Sequence, residues 1–176
     1  MTDPAIRKAS FPPMVSADTR LLLLGSLPGE ASLRAVRYYA HPQNQFWKLT
    51  GAVIGDETLH GLDYEERLDR LRAAGVGLWD VVADAERSGS LDGAIRDHRP
   101  NDLAALVSGL PALHVIGFNG GTAARIGRKL IGTPPGIVLV DLPSSSPAFT
   151  RPLAEKREKW IELRKFFGPL ADSRHD

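Results

Sequence analysis

Thr19-Arg-Leu-Leu-Leu-Leu-Gly-Ser-Leu-Pro-Gly29 is the stretch that decides the fold. Four consecutive leucines, Leu21 to Leu24, leave no polar face, and Gly25 ends the run, so it reads as a short strand buried on both sides. Strands of that kind belong to parallel sheets covered by helices. Working outward, residues 76–82, 113–118 and 136–140 are further strand candidates. Residues 45–54, 63–73, 121–130 and 152–167 read as helices, the last with a proline in its first turn. Asn101 or Asp102 is placed to cap another helix running to Ser108. Strands alternating with helices predict an α/β fold with a parallel sheet between helical layers.

The chain has 176 residues, 43% hydrophobic and 24% charged. That suits a single domain over residues 1–176, with a core from about residue 20 to 167 and loose tails at 1–18 and 170–176. There is no cysteine, which excludes a disulfide scaffold, a thiolate zinc site and a cysteine nucleophile, and fits a reducing cytoplasm. The leucine run is too short to span a bilayer, and MTDPAIRKASFPP lacks the apolar segment of a secretory signal, so a cytoplasmic address is expected. Five scattered histidines offer no pair at metal-ligand spacing, so no metal is expected. The net charge of +1 is unevenly spread. Residues 51–102 carry twelve acidic and six basic side chains, whereas residues 1–50 carry six basic and three acidic. Either the segment at 62–73 is a solvated acidic helix, or the molecule is bipolar with a positive face for a polyanion.

Ligands of parallel sheets sit at the carboxyl ends of the strands. There the sequence has Gly25-Ser-Leu-Pro-Gly29, Trp79-Asp80, Asn119-Gly-Gly121 and Leu142-Pro-Ser-Ser-Ser-Pro-Ala-Phe149, all polar or glycine-rich, and they are expected to converge on one edge. Gly25 to Gly29 is either an ordinary strand-to-helix turn or a backbone cradle for a phosphate or a base carbonyl. No Gly-Lys-Ser/Thr follows, and Gly117-Phe-Asn-Gly-Gly121 fails the dinucleotide spacing. Asn119 is a turn residue or a ligand contact. Tyr38-Tyr-Ala-His-Pro-Gln-Asn-Gln-Phe-Trp47 gathers rings, an imidazole and amides in ten residues. Asn44 either caps the helix that follows or holds its amide against a bound water. Phe46 and Trp47 are both core, or one faces a pocket. Ser144-Ser-Ser146 lacks the Gly-x-Ser-x-Gly elbow of a serine nucleophile and fits phosphate contact better.

Taken in order, Gly25-Ser-Leu-Pro-Gly29 with Ser32-Leu33, Tyr38 to Trp47, Gly77-Leu-Trp-Asp-Val-Val82, Gly89-Ser-Leu-Asp92, Phe118-Asn-Gly120 and Leu142 to Ala148 resemble the hypoxanthine-DNA glycosylase branch of the uracil-DNA glycosylase superfamily. The resemblance implies a three-layer α/β/α sandwich around a short, mostly parallel four-stranded sheet. It also implies a monofunctional hydrolase that cuts the N-glycosidic bond of a deaminated base and leaves an abasic site for base excision repair. Neither metal nor cofactor is implied, and no obligate protein partner, so a monomer acting on DNA is expected. The base would be flipped out of the duplex, because its glycosidic carbon is inaccessible while stacked.

Residue by residue, the resemblance assigns water positioning to Asn44, since Ser26 and Leu27 stand where many superfamily members carry an acid or amide. It places Gly25, Ser26, Leu27 and Pro28 around the base and gives Phe46 the stacking role. Asp80 falls at a base-reading strand end, where an ionised carboxylate accepts N1–H of hypoxanthine or N3–H of uracil, and Asn119 is the candidate donor beside it. Leu142 replaces the histidine of the usual second motif, leaving His41 as the nearby imidazole. Ser144, Ser145, Ser146, Arg37, Lys48 and Arg151 are the expected contacts to backbone phosphates, with Arg125 a further candidate. Uracil or xanthine as the substrate, a damage-binding module without turnover, and a serine hydrolase of small molecules stay open.

Overall fold

A computed structural model describes residues 7–167. In chain order, β1 (Arg7–Ala9) precedes β2 (Leu21–Gly25), α1 (Glu30–Ala35), α2 (Phe46–Ile54) and α3 (Tyr64–Ala73). Then come β3 (Val76–Asp80), β4 (Val82–Glu86), β5 (Arg96–Pro100), α4 (Leu103–Ser108), β6 (Val115–Asn119), α5 (Gly121–Ile131), β7 (Val138–Leu142) and α6 (Leu153–Trp160). A 3₁₀ segment, Ile161–Phe167, continues α6. The helices end for local reasons. Gly55 closes α2 in the left-handed region at φ 76°. Asp102 starts α4 by accepting the Ala105 N–H at 3.1 Å.

The four-stranded sheet runs β3-β2-β6-β7, and every neighbouring pair is parallel. All five residues of β2 are buried, as the leucine run requires. Alternation sends Leu21 and Leu23 into one apolar cluster with Phe46, Trp47, Leu71 and Trp160. Leu22 and Leu24 enter a second cluster with Leu103, Ile116, Phe118 and Ile126 on the opposite face. Helices α2, α3 and α6 therefore cover one side, and α4 and α5 the other. Helix α5 lies close against the sheet at Gly127, where an added Cβ would sit 2.3 Å from the Phe118 ring.

Several expectations change. The strand anticipated over residues 76–82 is two strands with Val81 between them, and β4 leaves the parallel sheet for an antiparallel one, β1-β4-β5. Asn101 does not cap α4. Its amide donates to the carbonyls of Asp80 and Val82, at 2.7 and 3.3 Å, and so fastens the chain on both sides of that switch. Residues 7–18 are no loose tail, because β1 pairs with β4 and the buried Met14 bridges Leu78. Arg-Lys-Ala is too short and polar to announce itself as a strand. The tail at 170–176 lies outside the described residues. The last strand starts at Val138 rather than residue 136, since Gly136 takes φ 74° in the preceding turn.

Leu22 sits at 0% exposure in the middle of the central strand. Leu22→Ala is expected to lower stability by about 2–5 kcal/mol, the range for a buried leucine whose cavity cannot collapse. Urea unfolding followed by circular dichroism measures it.

Candidate active site

The parallel register sets the strand ends level. Gly25 lies opposite Asp80, and Asn119 opposite Leu142. A cavity of about 620 Å³ opens at that edge, bounded by the loops after β2, β3 and β6 and by the serine loop after β7. Its volume lies within the ordinary range for small-ligand sites. The convergence anticipated from the four polar strand ends is what the fold produces.

Of the stacked pair Tyr39 and Phe46, the ring at the cavity is Tyr39. Phe46 is fully buried in the core, and Tyr39 lies flat on it with centroids 3.7 Å apart and planes 12° from parallel. Tyr39 lines the cavity and Phe46 does not. Helix α2 begins at Phe46, whose position in the first turn directs its side chain inward, so the preceding loop supplies the ring that lines the cavity. Tyr39 takes φ 53°, a left-handed conformation that non-glycine residues adopt at a cost. Neighbours hold it there: Trp47 Nε1 donates to the Tyr39 carbonyl at 3.1 Å, and the Ala40 N–H donates to Ser32 Oγ at 3.1 Å.

Beneath the ring, Gly25 has no room for a side chain. A Cβ there would meet Asp80 Oδ1 at 2.7 Å and the Tyr39 hydroxyl at 2.9 Å. Asp80 is 4% exposed, and its Oδ2 is buried without a hydrogen-bond partner. Burial, reinforced by the like charge of Asp92, pushes its carboxyl up to about 7, against a smaller opposing pull from Arg87. The buried Arg87 guanidinium donates to the carbonyls of Gly89, Leu27 and Pro28, clamping the loop after β2 to the loop after β4. Ser26 Oγ donates to Asp92 Oδ1 at 2.6 Å, so an acid from the second sheet stands beside the loop that lacks one of its own. Tyr39 and Asp92 had no assigned role in the sequence reading. Both lay inside segments quoted for the family resemblance, which was the available signal.

Asn44 lines the cavity while its Oδ1 accepts the Phe46 N–H at 2.9 Å. The two readings of this residue therefore coexist: one lone pair serves the start of α2, and the Nδ2 group and second lone pair remain. His41 also lines the cavity. Its Nδ1 accepts the Gln43 N–H at 3.1 Å, which assigns the ring proton to Nε2. Asn119 is at the cavity wall, but its amide is committed. Its Oδ1 accepts the Ser145 N–H, and its Nδ2 donates to Ser145 Oγ and the Tyr39 hydroxyl, at 2.9 and 3.3 Å. It fastens the serine loop instead of offering a free donor to a base.

The expected phosphate contacts divide. Ser144 and Ser146 line the cavity, whereas Ser145 is 1% exposed and held by Asn119, so its hydroxyl is not presented to a phosphate. Among the described residues no imidazole bonds Ser145, which leaves a serine nucleophile there without a base from them. Arg37 and Lys48 are exposed but lie off the cavity, and Arg37 stacks over Tyr64 at 5.2 Å. Arg151 lines a second cavity with Lys156 and Lys159 beside the first turn of α5. Arg34, on α1, lines the main cavity and was missed. Exposed Leu91 and Phe149 stand at its rim. Among the described residues, no cluster of three histidine or acidic side chains is placed to hold a metal ion.

Known proteins resemble this chain in sequence and in fold. The family model for the uracil DNA glycosylase superfamily matches residues 12–165. A curated relative from Methanosarcina barkeri, named a hypoxanthine DNA glycosylase, is 37% identical over 162 residues, covering 91% of this chain and 99% of its own. A relative of the same name from Methanosarcina acetivorans is 39% identical over 153 residues, covering 87% and 95%. A solution NMR structure of a Methanosarcina acetivorans protein assigned to the uracil DNA glycosylases superposes with a TM-score of 0.80 at 37% identity, covering 92% of this chain and 99% of that one. With its parallel sheet, its cavity at the strand ends and this match over most of its length, the chain belongs to the uracil DNA glycosylase superfamily.

Proposed function

We propose that this protein is a monofunctional DNA glycosylase that hydrolyses the N-glycosidic bond of hypoxanthine in DNA and leaves an abasic site for base excision repair. The observation that carries the reading is the Tyr39 ring, backed by Phe46, with the Asn44 amide in the same cavity. A nucleobase flipped into the cavity stacks on a tyrosine face already held flat. Such stacking is worth roughly 1–3 kcal/mol and is indifferent to the base. The choice of hypoxanthine is supported by the names of the two curated relatives and by the polar groups at the base edge, Asp80 foremost.

An asparagine amide is not a general base. Asn44 orients a water toward the sugar carbon as the bond to the base breaks, and rate comes from position and from stabilising the departing base. The Nε2–H of His41, which lines the cavity, is the donor for that second task. Arg34 at the cavity, and Arg151 and Lys159 beside it, supply positive charge for the flanking phosphates. The protein acts as a monomer in the cytoplasm, on the bacterial nucleoid if the host is a bacterium. Among the described residues no helix is long and apolar enough to cross a membrane.

Asn44→Ser keeps an oxygen that can bond the Phe46 N–H, so the fold persists while the amide is lost. Single-turnover cleavage of an inosine-containing duplex is expected to slow by about 100-fold or more, a loss typical of removing one positioned polar group. A rate equal to the parent's would remove Asn44 from the mechanism. Tyr39→Ala is expected to cost roughly 5- to 150-fold in kcat/KM, the stacking energy expressed as a rate, and Tyr39→Phe much less. The same assay on inosine, uracil, xanthine and undamaged duplexes, with alkali to reveal abasic sites, tests the substrate. Preferential cleavage of inosine is expected, and tight binding without cleavage of any strand would make the protein a damage-binding module instead.

A further inference from the structure

Asp80 is the one cavity-lining carboxylate among the described residues with a buried oxygen left unpartnered. Its surroundings are unsuited to a negative charge. Among the described residues the cation facing it, Arg87, already donates to three backbone carbonyls. Asp92, from the segment before β5, faces it with a like charge, and Glu30 of α1 shares the field of Arg87. From the loop before α2 come two uncharged phenols, Tyr38 and Tyr39, whose own ionisation is suppressed by burial first and by Asp80 second. His41 lines the same cavity. No neighbour donates a hydrogen bond to Oδ2, and water cannot reach it.

A carboxylate buried with an empty acceptor is costly; a carboxylic acid in that place costs far less. The acid also differs as a reader. An ionised carboxylate only accepts, whereas a protonated one accepts through one oxygen and donates through the other. The lactam edge of hypoxanthine presents the O6 acceptor, which an ionised carboxylate cannot bond and a protonated one can. We propose that Asp80 reads the flipped base as a neutral carboxylic acid, donating its proton through Oδ1 to O6 while Oδ2 stays sealed behind the cavity wall. The inference rests on the glycosylase reading above and names how its cavity selects a lactam. It replaces the ionised acceptor expected from sequence alone.

The sign follows from the raised carboxyl. The acid form is present below about pH 7 and is lost above it. Folding takes up a proton at Asp80 between the ordinary aspartate value and about 7, so stability falls as pH rises through that window. Asp80→Asn presents a similar donor and acceptor at every pH and lacks the titration.

Two measurements on wild type and Asp80→Asn test this. The first is kcat/KM on an inosine duplex from pH 5.5 to 8.5. The ratio of wild type to variant cancels both the ionisation of the lesion's own N1–H and the contribution of His41. That ratio is expected to be level below about pH 7 and to fall about tenfold per unit above it. The second is melting temperature over the same range, where the wild type is expected to lose stability relative to the variant as pH rises. A constant ratio throughout, or a melting difference that does not move with pH, would overturn the proposal. Wild type that cleaves no duplex at any pH would defeat the glycosylase reading itself, while the melting curves would still report whether Asp80 holds its proton.

Discussion

The structure depends on the register of a strand whose four central side chains are alike. Leu21 to Leu24 are identical, so a slip of one residue along β2 would put leucine in place of leucine at three of the four buried positions and bring Arg20 or Gly25 into the fourth. At the cavity end, what distinguishes one alignment from the next is Gly25. Opposite Asp80 and under the Tyr39 hydroxyl there is no space for a Cβ, so only the glycine fits, and every other pairing in the sheet follows from that placement. The residue that pins the register of the core is thus a residue of the cavity. Stability and site geometry are specified by the same contact.

The second sheet completes the cavity from the other side. Strands β1, β4 and β5 carry the loop that brings Leu91 and Asp92 to the rim, and Arg87 holds that loop against the one after β2. A buried guanidinium with three carbonyl acceptors is a rigid fork, and its position between two loops keeps Ser26 and Asp92 within hydrogen-bond reach. Removing it would leave the Leu27 and Pro28 carbonyls without their donor, Gly89 keeping Lys8, and would separate the walls.

The parallel sheet, its helical layers and the converging strand ends were legible because buried parallel strands need continuous apolar runs, and this chain has four. The second sheet was not legible. Arg96 to Pro100 is exposed along its whole length, and Arg7 to Ala9 spans only three residues, so neither carries a hydrophobic period. In the site, Asn44, Asp80 and His41 were found because their chemistry shows in their type. Which of two neighbouring rings lines the cavity was not, because it turns on where α2 begins and on a left-handed φ at Tyr39 that composition does not encode. Asn119 and Ser145 were named individually, but their bond to each other joins positions 26 residues apart and appears only in three dimensions.

Val36 and Tyr39 both take φ 53°, so the segment bearing the stacking ring is wound against its preference at two non-glycine positions. What restrains it lies outside the cavity: Tyr64 Oη accepts the Tyr38 N–H, the Tyr38 hydroxyl bonds the Pro12 carbonyl, and Trp47 Nε1 holds the Tyr39 carbonyl. In a mutational map of activity, Tyr64 and Trp47 would therefore score like contact residues although neither lines the cavity. The functional footprint of this enzyme is wider than its ligand's shadow, and it extends through the outer helical layer on the side of α3.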